Sequence, residues 1–254
     1  MPGTSGWNED MIEGLERATR VLGLFSKDIP EWSVSDVSRE LMMTKTTTWE
    51  WMRAMTELGL LRRTGRSSYR LGWRAFQLGQ RARMTSEIAG RAREAMASLV
   101  ERYGVTAQLA VRHGRDIVYL EKAAPRVGMR INATRVGERL PAHCTAEGKV
   151  LLAYRPEKEI RNLFNGIVME QLTERSITTP AALESELATV RERGFASDIE
   201  EAVEGMCCVA APVTNRHGDI AWALSMSFLE YRLGEHQTYI DAVTDAARRL
   251  SEAP

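Results

Sequence analysis

The chain has 254 residues, 44% of them hydrophobic, and its 34 lysines and arginines balance 34 aspartates and glutamates. That apolar content suffices for one large or two modest cored domains, whereas a net charge of zero excludes any argument for a nucleic-acid or membrane partner from bulk charge alone. No run approaches the roughly 18 apolar residues of a membrane span, MPGTSGWNED lacks a basic stretch leading into an apolar one, and three cysteines make no disulfide framework. A soluble cytoplasmic protein without a membrane partner is expected.

Leu15, Ala18, Leu22 and Phe25 recur at three- and four-residue steps and predict an amphipathic helix over 11–25. Pro30 breaks it. Ser33 with Asp36 reads as a helix-start box. Thr44 reads as the cap of a second helix, whose buried stripe is Thr48, Trp51, Met52, Met55 and Leu58 and whose end is Gly59. Two short helices joined by a tight turn make a helix-turn-helix. LLRRTGRSSYRLG then reads as a two-stranded hairpin, the wing of a winged helix.

Between Arg62 and Arg93 nine arginines stand against one acid, Glu87. A basic hairpin beside a helix-turn-helix is the footprint of phosphate contacts. The candidate DNA-binding surface is therefore Lys45, Thr46, Thr47, Trp49, Glu50 and Arg53 on the second helix, with Arg62, Arg63 and Arg66 on the wing. These side chains suit the phosphates and base edges of double-stranded operator DNA. A small helical domain with merely solvated charges is the plainer alternative, and the ordered set of helix, helix-turn-helix and basic hairpin weighs against it.

WRAFQLGQRARMTSEIAGRAREAMASLVERYG predicts two helices, broken near Gly79 and at 84–86, with Leu78, Ile88, Ala92, Met96 and Leu99 buried and Gly104 as the stop. The first is a linker, and in winged-helix proteins such a linker commonly offers an apolar face to its twin. Beyond Gly104 come short β-rich runs, VTAQLAVRHG, RDIVYLEKA and GMRINAT. LPAHCTAEGKVLLAY reads as a loop entering a helix capped by Thr145, and LESELATVRERG as a helix closed by Gly194. CCVAAPVTNRHGDIAWALSMSF reads as a hairpin turning at 215–219, followed by a last helix over 234–250. Strands and helices in no regular βαβ order predict an α+β domain, its antiparallel sheet covered by helices.

Alternation along IAWALSMSF puts Ile220, Trp222, Leu224, Met226 and Phe228 on one face and the small Ala221, Ala223, Ser225 and Ser227 on the other. The vicinal cysteines before it diverge in the same way, so Cys207 reads as core and Cys208 as facing the serines. The small face admits two readings, close helix packing or a concave site for a small polar, anionic metabolite, with Asp198 closing it and the helix start at HCTAEG offering free N–H groups. A cysteine-based enzyme or thiol redox sensor centred on Cys208 is the alternative. His143 and Cys144 are chain neighbours whose side chains diverge, which disfavours a dyad. No zinc spacing, dinucleotide fingerprint, phosphate loop or nucleophile elbow is present, so no catalytic residue, metal ligand or cofactor is assigned.

LERATRVLGLF, VSDVSRELMMTKTTTWEWM and YRLG resemble the DNA-binding half of the IclR family of bacterial transcriptional regulators. RVGERLPAHCTAEGKVLLAY, RERGFASDIEEAVEGMCCVAAPV and GDIAWALSMS are similar to its effector-binding half. The resemblance implies a tail over 1–9, a winged helix-turn-helix over 10–72, a linker helix over 73–84 and a GAF-like effector domain over 85–254. It also implies homodimers, paired into dimers of dimers. Carried over by position, the effector site would use backbone N–H groups of Ala146 and Glu147 and the side chains of Asp198, Cys208, Ser225 and Ser227. The chain departs from the family pattern at Glu147, where a small or apolar residue is usual, and at Trp49, Glu50 and Trp51.

Overall fold

The computed structural model describes residues 9–84, 88–126 and 134–252, and the chain divides between Thr85 and Ser86 into two compact units. The N-terminal unit runs α1 (Glu9–Gly23), β1 (Trp32–Ser33), α2 (Val34–Glu40), α3 (Lys45–Glu57), β2 (Leu61–Arg63), β3 (Ser68–Leu71) and α4 (Trp73–Met84). Its core gathers Val21, Val37, Met52, Met55, Leu61 and Tyr69.

Both expected caps are formed. Ser33 accepts from Asp36 N at 3.1 Å and Thr44 from Thr47 N at 3.2 Å, each satisfying a first-turn N–H that the helix cannot. β2 and β3 make the hairpin. β1, too short to leave a sequence pattern, adds to β3, giving the order β1-β3-β2. A Cβ on Gly72 would lie 2.1 Å from the Gly59 carbonyl oxygen, so the chain can leave the wing this tightly only through glycine.

Three expectations fail in this unit. Leu58 is 56% exposed rather than buried, because it caps α3 beyond the turn that packs inward. Leu78 is 50% exposed, and α4 continues through Gly79 without a break. One glycine weakens a helix by about 1 kcal/mol, too little to interrupt it.

The C-terminal unit opens with α5 (Ala89–Tyr103), which ends at Gly104 with φ 64. β4 (Thr106–His113), β5 (Asp116–Ala123), β6 (Arg139–Pro141), β7 (Ala196–Ile199), β8 (Met206–Thr214) and β9 (Ile220–Leu229) form an antiparallel sheet in the order β6-β5-β4-β9-β8-β7. The expected strand GMRINAT lies, apart from Thr134, outside the described residues.

α5 and α9 (His236–Glu252) cover one face over Met96, Leu109, Cys207, Val209, Leu224, Met226, Phe228 and Tyr239. The other face packs with α6 (Ala146–Ala153), α7 (Glu157–Phe164) and α8 (Pro180–Arg193) around Tyr119, Val150, Phe164, Leu187, Cys208, Ala210 and Ala223. The two cysteines therefore do part to opposite faces. Neither β6 nor α7 is anticipated from sequence: β6 has three residues, too few for a periodic signal, whereas α7 does carry its buried Ile160 and Phe164 at a four-residue step.

Candidate functional site

β8 and β9 pair with Cys208 opposite Ser227 and Ala210 opposite Ser225. β7 sets Asp198 opposite Cys208, and β4 sets Gln108 opposite Ser225. Four strands, β4-β9-β8-β7, thus bring small and polar side chains into one patch on that side of the sheet. α6 lies over it. Thr145 caps this helix by accepting from Gly148 N at 3.2 Å. Gly148 packs against the short turn Ala142–Cys144 so closely that a Cβ there would sit 2.2 Å from the Ala142 carbonyl oxygen.

This approach presses Glu147 onto the sheet. Ser225 Oγ donates to Glu147 Oε1 at 2.6 Å, and the Cys208 thiol approaches the same oxygen at 3.7 Å. Ser227 Oγ donates to Gln108 Oε1 at 2.9 Å and lies 3.4 Å from Cys208 Sγ. Gln108 Nε2 donates to Thr134 Oγ1 at 2.6 Å, and Lys122 Nζ donates to the Thr134 carbonyl oxygen at 2.5 Å. A continuous polar track runs from Glu147, which holds both Ser225 and Cys208, through Cys208, Ser227, Gln108 and Thr134 to Lys122. The sequence singles out neither Gln108, Thr134 nor Lys122. The one available signal is Gln108, an amide inside the run Ala107–Val111 that is otherwise apolar, on the same side as Ala110.

Asp198 is buried beside this track. Its Oδ1 accepts from Glu201 N at 2.7 Å. Burial pushes its carboxyl up to about 8, against the Glu201 N–H bond, which favours the charged form. Burial also raises Glu147, although bonds from Ser225, its own backbone and Cys208 pull the other way. Among the described residues no cation pairs with Glu147, whereas Lys149 on the same helix does have partners. Lys149 Nζ, 2% exposed, lies 2.6 Å from Glu201 and 3.3 Å from Glu186, tying α6 to α8 and to the turn after β7.

The thiols are not poised as nucleophiles. Burial drives Cys208 well above its ordinary value, with Glu147 and Asp198 adding to the shift, and raises Cys207 to about 11 and Cys144 to about 12. His143 Nε2 meets the Glu170 carbonyl oxygen at 2.8 Å, while Cys144 Sγ turns to the Pro141 carbonyl oxygen at 3.6 Å, so the two make no dyad. Among the described residues no group of three or more His, Cys, Asp or Glu could hold a metal, and no helix is long and apolar enough to cross a membrane.

In the N-terminal unit, Lys45, Thr46, Trp49, Glu50 and Arg53 are exposed on α3, and Thr47 is half-buried. Arg53 lies 5.4 Å from the Trp49 ring centroid. On the wing, Arg62 stands over Trp73 at 5.8 Å and Arg63 over Tyr69 at 5.6 Å. Arg66 is exposed, and its carbonyl oxygen accepts from Arg63 at 2.5 Å. The geometry is a helix-turn-helix with a cationic wing.

Residues 14–65 match the IclR helix-turn-helix domain, and residues 80–252 match the bacterial transcriptional regulator IclR C-terminal domain. The chain is 35% identical to the HTH-type transcriptional regulator KdgR of Escherichia coli K12 over 224 residues, 87% of this chain and 85% of that one. It is 32% identical to the regulator XynR of the same organism over 246 residues, 96% and 97% of the two chains. The crystal structure of an IclR transcriptional regulator from Alicyclobacillus acidocaldarius superposes with a TM-score of 0.82 at 25% identity, covering 94% of this chain and 97% of that one. A helix-turn-helix module and an IclR C-terminal domain in one chain define a DNA-binding transcriptional regulator rather than an enzyme. The chain belongs to the IclR family.

Proposed function

We propose that the chain binds operator DNA through α3 and the wing, and that a small carboxylic acid in the C-terminal unit controls the affinity. The observation that carries the effector reading is the buried polar track under α6. Sheet packing alone has no need of Ser225 and Cys208 both bonded to Glu147, nor of Ser227 reaching from Cys208 to Gln108, since buried polar groups cost stability unless fully paired. A carboxylate bound at the start of α6 would take the N–H groups of Ala146 and Glu147, which precede the first intrahelical bonds, with Asp198 and the two serines beside it.

The acids already there do not forbid this. Burial favours the protonated form of both Glu147 and Asp198, which lessens their repulsion of an anion. The effector would bind two arrangements of the assembly with different affinity and shift the population between them.

The test combines a gel shift on the DNA upstream of the chain's own coding region with thermal-shift screening against small carboxylic acids. An acid present at 100 times its Kd stabilises by about 2.7 kcal/mol. Ser225→Leu should abolish the response of DNA binding to such an acid while sparing DNA binding itself. An unaltered acid titration in this variant would overturn the site assignment.

A further inference from the structure

The exposed face of α3 holds a charge that its own helix leaves uncompensated. Glu50 and Arg53 stand three residues apart, a spacing at which opposite charges ordinarily pair. Arg53 turns away: its Nε donates to Glu57 Oε1 at 2.9 Å, and its guanidinium stacks over Trp49. Glu50 is exposed, and among the described residues it makes neither a hydrogen bond nor an ion pair. Lys45, Thr46 and Thr47 stand in the first turn of the same helix.

A carboxylate on this face is repelled by phosphates, so it favours DNA binding only where it meets a hydrogen-bond donor on the groove floor. The major groove offers two such donors, the N4 amino group of cytosine and the N6 amino group of adenine. Adenine sets its N7 acceptor beside N6, and that lone pair opposes a carboxylate. Cytosine carries only a C–H edge next to its amino group.

We infer that Glu50 reads a cytosine in each operator half-site by accepting from its N4 amino group, while the row Trp49, Arg53 and Glu57 holds the nearest cation away from the carboxylate. This rests on the reading of α3 as the recognition helix. Glu50 thereby turns an unfavourable charge into discrimination, since guanine and thymine leave the carboxylate without a donor and adenine sets an opposing lone pair beside its amino group.

The experiment is selection of binding sites from a random-sequence duplex library with the full chain and with Glu50→Ala and Glu50→Gln, each variant first shown to melt at the wild-type temperature. The wild type should enrich sites with one position per half-site dominated by cytosine. Glu50→Ala should lower that preference about tenfold or more and leave the other positions unchanged. Glu50→Gln should move the preference to adenine, whose N6 and N7 suit a carboxamide. A consensus without a cytosine-dominated position, or one that both variants leave intact, overturns the assignment. A wild-type chain that enriches no sequence at all overturns the reading of α3 itself.

Discussion

Asp198 and Glu147 make the C-terminal unit less stable as pH rises. Asp198 titrates at about 8 in the folded chain, against an ordinary value of 3.8. The native state therefore keeps a proton that the unfolded chain gives up above pH 4, and stability falls as pH rises from about 4 to 8, by at most about 1.4 kcal/mol per pH unit for this one group. Glu147, also raised, adds to the fall from 4.5 upward. Asp198→Asn keeps an oxygen to accept from Glu201 N and removes the titration, so denaturant melts from pH 4 to 8 should show a shallower decline. A slope equal to that of wild type would rule Asp198 out as its source. At this scale the sequence is readable where strand alternation alone decides, as in the parting of Cys207 from Cys208. It is silent where distant strands must meet: Gln108 reaches Ser227 across 119 positions of chain, and only the pairing of β4 with β9 reveals it.

Helix starts are the most legible elements, because a cap is a local matter of one side chain and one N–H. Ser33, Thr44 and Thr145 each cap the helix expected of them. β1 and β6 pass unseen because two or three residues carry little periodicity, whereas α7 is missed although Ile160 and Phe164 stand at a helical step, no side chain marking its start as a cap. Nor does sequence disclose how closely α6 approaches the turn before it. Gly148→Ala would drive a methyl into the Ala142 carbonyl, and the necessary shift should cost on the order of 1–3 kcal/mol. It would also lift Glu147 from Ser225. Calorimetry of the variant should show this loss, and wild-type melting would mean that α6 has room to move.

For the whole molecule, composition and motif order indicate a DNA-binding unit followed by an α+β unit, and the division between Thr85 and Ser86 is a property of the folded chain. Assembly is a proposal, supported by α4. Trp73, Phe76 and Leu78 are 72%, 58% and 50% exposed on that helix, an apolar set that a solitary chain would leave in water. Phe76→Glu with Leu78→Glu should convert a homodimer to monomers in light scattering and weaken operator binding, because two half-sites then lose their physical link. A mass unchanged by the double substitution would place the dimer contact elsewhere.

All eight residues of α6 are buried, an acid and a lysine among them. A helix so enclosed is at once the wall of the proposed effector site and a keystone of the fold, and the two offices cannot be altered separately. Substitutions that retune what the site accepts will also change how long the unliganded protein survives in the cell. The range of effectors open to this regulator by mutation is therefore bounded less by the shapes a site could take than by the margin of stability left to lose.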